Sequence, residues 1–311
     1  MQVYDEFSMF ADNAAEAGLE WRGAPSVERR SIAVSGGRNI SALVWQPEKP
    51  AELVLLHGGA QNSHTWDTVA LALDRPLVTI DLPGHGHSDW RDDGDYRPQS
   101  MADDVATALR ALAPSPIPLI GMSLGGMTAL CLTARHPSLV TKLGLVDVTP
   151  GVDHAKAEPI IAFVTGPEFF DDFASILART IEHNPTRTES SLRRGVLHNA
   201  RELDDGRWSW RYDPMRSWKR TPSDEKAAPP DAGAPAPDFT ALWDELATIA
   251  VPVTLWRGAR SGVVDDADVE RFVQIQPTAT VIVVDEAGHS IQGDRPVEFA
   301  RSIEAMLAVA N

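Results

Sequence analysis

The sequence predicts an α/β fold in which a mostly parallel sheet of eight strands is flanked by helices on both faces. Short apolar runs alternate with amphipathic stretches along most of the 311 residues. Glycine-rich or polar motifs follow several of these runs directly, at the strand ends where ligands bind in parallel sheets. The alternation stops in one long interval after the sixth strand. We therefore predict a core formed by residues 1–148 and 249–311, and a mainly helical lid inserted at residues 149–248.

Six of the predicted strands lie in the first half of the chain. The first two, Val27 to Val34 and Ile40 to Trp45, have an alternating pattern and are joined by a predicted hairpin turn at residues 35–38. The other four are the short runs Leu53 to Leu56, Leu77 to Ile80, Ile117 to Ile120 and Leu143 to Val146. Helical spacing of apolar residues predicts helices between them. These helices are Trp66 to Leu73, Met101 to Leu112 and Gly125 to His136, preceded by an amphipathic helix at Tyr4 to Leu19.

The second half of the chain begins with the predicted lid and then completes the sheet. Within the lid we predict helices at Phe169 to Glu182, Ser190 to Asn199 and Phe239 to Leu246, and a hairpin turn at Asp204-Asp205-Gly206. Residues 221–238 are rich in Pro, Ala and Asp, which predicts a flexible loop. The last two strands, Val251 to Trp256 and Val281 to Val284, precede a helix at Pro296 to Ala310.

The composition excludes several classes of partner. Lys and Arg total 28 against 44 Asp and Glu, a formal net charge of −16 that repels nucleic acids and anionic lipids. The single cysteine, Cys131, cannot form an internal disulfide and is predicted to be a buried structural thiol. Residues 1–20 lack the basic start and apolar centre of a secretory signal, and no apolar run is long enough to span a membrane. We expect a cytoplasmic protein without a nucleic-acid or membrane partner.

The central motif is Gly121-Met122-Ser123-Leu124-Gly125, which lies between a predicted strand and a predicted helix. A G-x-S-x-G pattern in that context holds the serine at a sharp turn, with its hydroxyl clear of the sheet. The glycines leave room for the strand and the helix to approach each other. Ser123 is therefore the candidate nucleophile.

A serine hydroxyl needs a base to remove its proton and a third group to orient that base. His289 follows the last strand and fits the chain order Ser, acid, His, so it is the candidate base. Asp147 ends the strand after the serine's helix and is our first choice for the acid. Asp266 is the alternative, although the acidic residues at 265–268 before an apolar helix are also typical of a helix cap.

The oxyanion that forms on attack needs backbone N–H donors. The candidates are Leu124, directly after the nucleophile, and Gly59 in the loop after the third strand, with Ala60 as the alternative to Gly59. We expect His57 to brace that loop. The spacing of Asp81, His85 and His87 is typical of a turn and not of a metal site, so we predict neither a metal nor a cofactor.

These motifs together resemble the α/β-hydrolase fold. The resemblance rests on His57-Gly58-Gly59, on Asp81-Leu82-Pro83-Gly84-His85-Gly86, on the motif around Ser123 and on Gly288-His289, in that order. Finer details, Leu145 to Pro150 and Trp256-Arg257-Gly258, resemble actinobacterial serine carboxylesterases. The resemblance implies hydrolysis of short acyl esters.

The sequence departs from the usual pattern of this fold in one place. Many members carry the acid shortly after the glycine that ends the next-to-last strand, but here Gly258-Ala259-Arg260-Ser261 places a serine there. This departure is a second reason to favour Asp147. Ser123 argues against relatives that use an aspartate nucleophile, which leaves esterase, thioesterase, lactonase and carbon–carbon bond hydrolase activities and peroxide-using relatives, with ester hydrolysis as our first choice. A ligand-binding module without catalysis is the alternative from another class.

The small-molecule ester that we expect as substrate needs an apolar acyl pocket. Phe163, Phe170 and Phe173 of the predicted lid are candidates for lining it. Packing of the lid helices against each other explains these side chains equally well.

Overall fold

The computed structural model describes residues 4–113, 115–150, 156, 158, 162–164, 166–184, 187–214 and 241–309. The predicted flexible loop at 221–238 lies outside these residues. No helix in the described ranges is both long and apolar enough to cross a lipid bilayer.

Eight strands form the main sheet, as the alternating pattern predicts. Six of them precede residue 149, namely β1 (Val27–Ala33), β2 (Asn39–Trp45), β3 (Val54–Leu56), β4 (Leu77–Ile80), β5 (Ile117–Met122) and β6 (Val140–Val146). Three short strands follow, namely β7 (Phe169–Phe170), β8 (Ala200–Glu202) and β9 (Trp208–Trp210). The main sheet is completed by β10 (Val253–Gly258) and β11 (Thr280–Val284).

The strand order of the main sheet is β1-β2-β4-β3-β5-β6-β10-β11. β2 pairs antiparallel with both β1 and β4, and every other neighbouring pair is parallel. The predicted eight-stranded, mostly parallel sheet is therefore confirmed. Because parallel strands share one carboxyl edge, the loops after β3, β5, β6, β10 and β11 all open on the same side.

Helices cover both faces of the sheet. They are α1 (Phe10–Glu16), α2 (Asp67–Leu73), α3 (Pro98–Leu112), α4 (Leu124–Arg135), α5 (Phe173–His183), α6 (Glu189–Asn199), α7 (Leu242–Ala247), α8 (Asp266–Ile275), α9 (Ile291–Asp294) and α10 (Pro296–Ala308). One core cluster joins α3, α4, α7 and α8 to one face of the sheet, and a second joins α1, α2 and α10 to the other. The central strands β3, β4 and β5 are apolar except at Thr79, because helices cover both faces of the sheet and bury nearly all of their residues.

Several boundaries differ from the sequence prediction for local reasons. Phe169–Phe170 is a strand and not the first turn of a helix, because the side chain of Asp172 accepts the Ser175 N–H and starts α5 at the next residue. The first helix covers only Phe10–Glu16, since the chain reverses at Gly18 with a φ of 67°.

The interval between β6 and β10, which we call the insertion (residues 149–248), has a small core of its own. Strands β7, β9 and β8 form a three-stranded antiparallel sheet, and the predicted turn at 204–206 connects β8 to β9. Its buried residues include Val164, Phe170, Ile176, Leu177, Leu192, Val196, Trp210 and Tyr212, and Ala60 of the main core joins them. The assignment of this segment as a lid stays a prediction.

Candidate active site

Ser123 occupies the turn between β5 and α4. Its backbone has a φ of 51° and a ψ of −119°, a conformation that costs a non-glycine residue about 1–3 kcal/mol. The close packing of the turn explains its glycines: a Cβ on Gly121 would lie 2.2 Å from Gly125 O, and a Cβ on Gly125 would lie 2.3 Å from His57 O. The predicted strand–turn–helix context of the serine is thus present.

The backbone of Ser123 lies beside the end of β6. Its N–H donates to Val146 O at 3.1 Å, and the next residue along β6 is Asp147. Asp147 is fully buried, and its Oδ2 accepts a hydrogen bond from His289 Nδ1 at 2.8 Å. One backbone hydrogen bond and one side-chain hydrogen bond therefore connect the segments that carry the serine, the carboxylate and the imidazole.

Two further donors hold the carboxylate of Asp147. The Gly258 N–H at the end of β10 donates to Oδ1 at 3.0 Å, and the Ser261 hydroxyl donates to Oδ2. Ser261 is the residue in the position where the acid is usual in this fold, so here that position contributes a hydrogen bond to the acid instead. The sequence shows the serine, but it does not reveal this contact.

Asp266, the alternative acid, is not the carboxylate that His289 contacts. It is the first residue of α8, its side chain is 88% exposed, and it forms an ion pair with Arg257. Its neighbour Asp265 caps the helix by accepting the Asp268 N–H at 3.0 Å, while the Asp268 side chain accepts the Asp265 N–H. These contacts favour the capping interpretation of residues 265–268, and they do not support Asp266 as the acid.

The hydrogen bond to Asp147 fixes which nitrogen of His289 is available. Because Nδ1 donates to the carboxylate, Nε2 is the nitrogen that can accept a proton. Within the described part of the chain, neither Nε2 nor Ser123 Oγ has a hydrogen-bond partner. Hydrogen bonds of this kind commonly tighten only when substrate is bound.

The loop after β3 has one free backbone donor among three successive residues. The Gly58 N–H donates to Gln61 Oε1 at 3.2 Å, and the Ala60 N–H donates to His85 Nε2 at 3.1 Å. The N–H of Gly59, between them, has no acceptor among the described residues. Ala60 is therefore unsuitable as an oxyanion donor, and the expectation favouring Gly59 fits the geometry.

Leu124 supplies the second free N–H. It is the first residue of α4, and the first N–H groups of a helix have no acceptor within the helix. The Leu124 side chain packs against Gly59, since a Cβ on Gly59 would lie 3.7 Å from Leu124 Cδ2. The same loop approaches the nucleophile, because a Cβ on Gly58 would lie 3.4 Å from Ser123 Cβ.

His57 braces this loop, as the sequence predicts. Its Nδ1 donates to Gly58 O at 2.7 Å and its Nε2 accepts the Leu82 N–H at 2.9 Å. Burial lowers the pKa of His57, and burial together with the nearby His57 ring lowers the pKa of His85 to about 3. Both imidazoles are therefore neutral, which lets each ring accept one backbone N–H and donate from its other nitrogen.

The turn at 81–87 uses its side chains for hydrogen bonds. His85 Nδ1 donates to Pro83 O, so both ring nitrogens are occupied. The Asp81 carboxylate accepts from Ser63 and from Arg29, and it also accepts the His87 N–H. These hydrogen bonds explain the placement of Asp81 and His85 without invoking a metal ion.

Three buried side chains elsewhere, His64, Asp67 and His198, have potential ligand atoms within 4.8 Å of one another. The two imidazole rings are stacked, with centroids 3.8 Å apart and an angle of 11° between their planes. Lone pairs in nearly parallel planes do not converge on one ion. Both nitrogens of His64 already contact carboxylates, those of Asp67 at 2.9 Å and Glu6 at 3.1 Å. The arrangement is a hydrogen-bonded cluster and not a ready coordination site.

The three phenylalanines proposed for an acyl pocket pack within the insertion. The Phe163 and Phe170 rings lie 5.7 and 5.8 Å from the Trp210 ring, and the Phe173 ring lies 5.0 Å from the Trp208 ring. These contacts fit the packing interpretation. Their contact with an acyl chain stays a prediction.

The serine turn, the acid–imidazole pair beyond the ends of β6 and β11 and the two free N–H groups are typical of a hydrolase of the α/β type, and comparison with known proteins supports this. The family described as alpha/beta hydrolase fold matches residues 52–296. The chain therefore belongs to the α/β-hydrolase family, and the resemblance found in the sequence is confirmed.

Among individual relatives, the esterase Rv0045c of Mycobacterium tuberculosis is 42% identical over 312 aligned positions, covering 96% of this chain and 95% of that protein. A crystal structure of Rv0045c matches with a TM-score of 0.82 at 40% identity, covering 99% of this chain and 100% of that one. The 3-hydroxybutyrate-oligomer hydrolase of Cupriavidus necator is 29% identical, covering 86% of this chain and 93% of its own length.

Proposed function

We propose that the protein hydrolyses carboxylic esters of short acyl chains through a covalent acyl-enzyme on Ser123. Its family and its near full-length similarity to an esterase make it a hydrolase of the carboxylesterase type. The single observation that carries the residue assignment is the Asp147–His289 hydrogen bond, formed at the end of the strand whose last carbonyl accepts the Ser123 N–H.

The proposed mechanism begins with attack of Ser123 Oγ on the acyl carbon while His289 Nε2 takes the hydroxyl proton. The buried Asp147 carboxylate stabilises the imidazolium that forms. The Gly59 and Leu124 N–H groups bind the oxyanion in a site where they have no competing acceptor. His289 then gives the proton to the leaving alcohol, and the serine ester remains.

The second half of the cycle repeats these roles with water. His289 Nε2 removes a proton from water, the resulting hydroxide attacks the serine ester, and the carboxylic acid leaves as Ser123 recovers its proton. The substrate is a small-molecule ester. The cytoplasmic location stays a prediction of the sequence.

A substrate panel tests this proposal. Wild type and Ser123→Ala are compared on p-nitrophenyl acetate and butyrate, an acyl-CoA thioester, a lactone and a vinylogous diketone that reports carbon–carbon cleavage. We expect the short esters to have the highest kcat/KM, and we expect Ser123→Ala to lower it by about 10³-fold or more, because no other nucleophile stands at the turn.

Three results would contradict parts of the proposal. If the thioester, the lactone or the diketone were turned over faster than the short esters, the substrate would belong to that class instead. Activity of Ser123→Ala within tenfold of wild type would overturn the nucleophile. Absence of turnover on every substrate would favour the ligand-binding module.

A further inference from the structure

The side chain of Asn199 connects the insertion to the loop that carries the free Gly59 N–H. Asn199 is the last residue of α6, and its Nδ2 donates to Ala60 O at 2.6 Å across 139 positions of sequence. Asn199 Oδ1 accepts a hydrogen bond from Asn62 Nδ2 at 3.1 Å. Asn62 Nδ2 also donates to His198 O at 3.1 Å. The orientation of the Asn199 amide follows from these partners, because only its nitrogen can donate to a carbonyl.

The contacted residue, Ala60, has an unfavourable backbone conformation. Its φ is 57°, in the left-handed region that a residue with a Cβ rarely adopts. Both of its backbone polar groups are held, the N–H by His85 and the carbonyl by Asn199. A strained conformation persists only where its surroundings fix it in this way.

The hydrogen bonds around Ala60 also fix the peptide that carries the Gly59 N–H. The peptide between Ala60 and Gln61 makes two hydrogen bonds. Its carbonyl, Ala60 O, accepts from Asn199, and its N–H, that of Gln61, donates to Gly58 O at 3.2 Å. Gly58 O belongs to the same rigid peptide plane as the Gly59 N–H, and in a trans peptide the two groups point in opposite directions. Fixing the direction of Gly58 O therefore also fixes the direction of the Gly59 N–H.

We propose that Asn199 is a positioning residue for the oxyanion site, through which the end of α6 holds the Gly59 N–H in the direction that stabilises the reacting oxygen. This inference rests on the proposed function. His57 and His85 brace the same loop from the main core, and Asn199 is the contribution of the insertion. The end of α6 must then stay docked on the loop throughout the reaction.

The test uses Asn199→Asp, which keeps the shape and the acceptor for Asn62 but removes the donor to Ala60 O. Asn184→Asp is the matched control, because Asn184 also lies at the C-terminal end of a helix of the insertion and donates to a carbonyl, but to one of its own helix, that of Thr180 at 2.9 Å. For Asn199→Asp we expect kcat to fall about 10- to 100-fold with KM within threefold, since misplacing a donor costs transition-state binding. Asn184→Asp should keep wild-type kcat.

A trifluoromethyl ketone separates positioning from general loss of structure, because its serine adduct carries an oxyanion in the same place. The inhibition constant should rise in Asn199→Asp by the same factor as kcat/KM falls, while the melting temperature stays near that of the control. If the new carboxylate unfolds the insertion, Asn199→Ala decides by the same two measurements.

Unchanged kcat and ketone affinity in the Asn199 variants, with an active wild type, would overturn the positioning role alone. A loss of activity that appears only in KM or only with a lower melting temperature would also overturn it. A wild type that neither hydrolyses the esters nor binds the ketone would overturn the proposed function, and the positioning role with it.

Discussion

Asp147 accepts three hydrogen bonds, two from the end of β10 and the loop after it and one from the loop after β11. His289 and Ser261 donate to Oδ2, and the Gly258 N–H donates to Oδ1. A carboxylate held in this way cannot rotate, so the imidazole that it binds keeps Nε2 free on the side away from it. Burial makes the residue sensitive to replacement, because any unpaired polar group left there is costly.

The exchange Asp147→Asn tests this role. An amide nitrogen facing His289 Nδ1 would favour the wrong tautomer, so we expect kcat/KM on a short ester to fall about 10³- to 10⁴-fold. Asp266→Asn is the matched control and should stay within threefold, because the Asp266 side chain is exposed and paired with Arg257. Activity of Asp147→Asn within a few-fold of wild type, or a large loss in Asp266→Asn, would contradict the assignment.

At the scale of helices and strands, the parts of the site that follow strand ends could be predicted. Ser123, Asp147 and His289 are far apart in sequence, but Ser123 and Asp147 come directly after a strand and His289 lies five residues beyond the end of β11. A parallel sheet brings such positions to one edge, so topology supplies the proximity that the sequence alone does not state. The choice between Asp147 and Asp266 remained open because both follow apolar residues, and only the fold shows that Asp266 starts a helix.

Contacts between distant side chains could not be predicted. The apolar residues Phe170, Phe173 and Ile176 have helical spacing, which favours one helix from residue 169, yet the cap at Asp172 separates a strand from the helix. The contact from Asn199 to Ala60 follows no local pattern, because it depends on where the end of α6 docks. Sequence periodicity reports which side of an element is buried and does not report its partner.

At the scale of the whole molecule, one buried cluster joins the start of the chain, the main core and the insertion. Glu6 and Tyr4 come from the first segment, His64 and Asp67 from the core, and His198 from α6. Burial alone would lower the pKa of His64, but the carboxylates of Asp67 and Glu6 outweigh it and raise the pKa to about 9. The pKa of His198 is lowered well below its usual value by burial and by the His64 ring, so the stacked pair carries one charge.

The raised pKa of His64 in this cluster predicts that the stability of the fold depends on pH. An imidazole whose pKa is raised from 6.5 in the unfolded chain to about 9 in the folded chain stabilises the fold fully below pH 6.5. This contribution is lost as the pH rises through 9, because the imidazole of the unfolded chain loses its proton at a lower pH than that of the folded chain. The difference in unfolding free energy between wild type and His64→Asn should shrink by on the order of 3 kcal/mol between pH 6.5 and 10. Urea unfolding at several pH values measures it, and a difference that is constant or grows with pH would contradict the charged state of His64.

Ser123 is the reacting group of the proposed mechanism. Reaction of wild type with a fluorophosphonate, followed by intact mass and peptide mapping, tests it directly, with Ser123→Ala as the control. We predict one adduct per chain, located on the peptide that contains Ser123, and no adduct in the variant. An unlabelled wild type, or an adduct on another residue that persists in Ser123→Ala, would contradict the account.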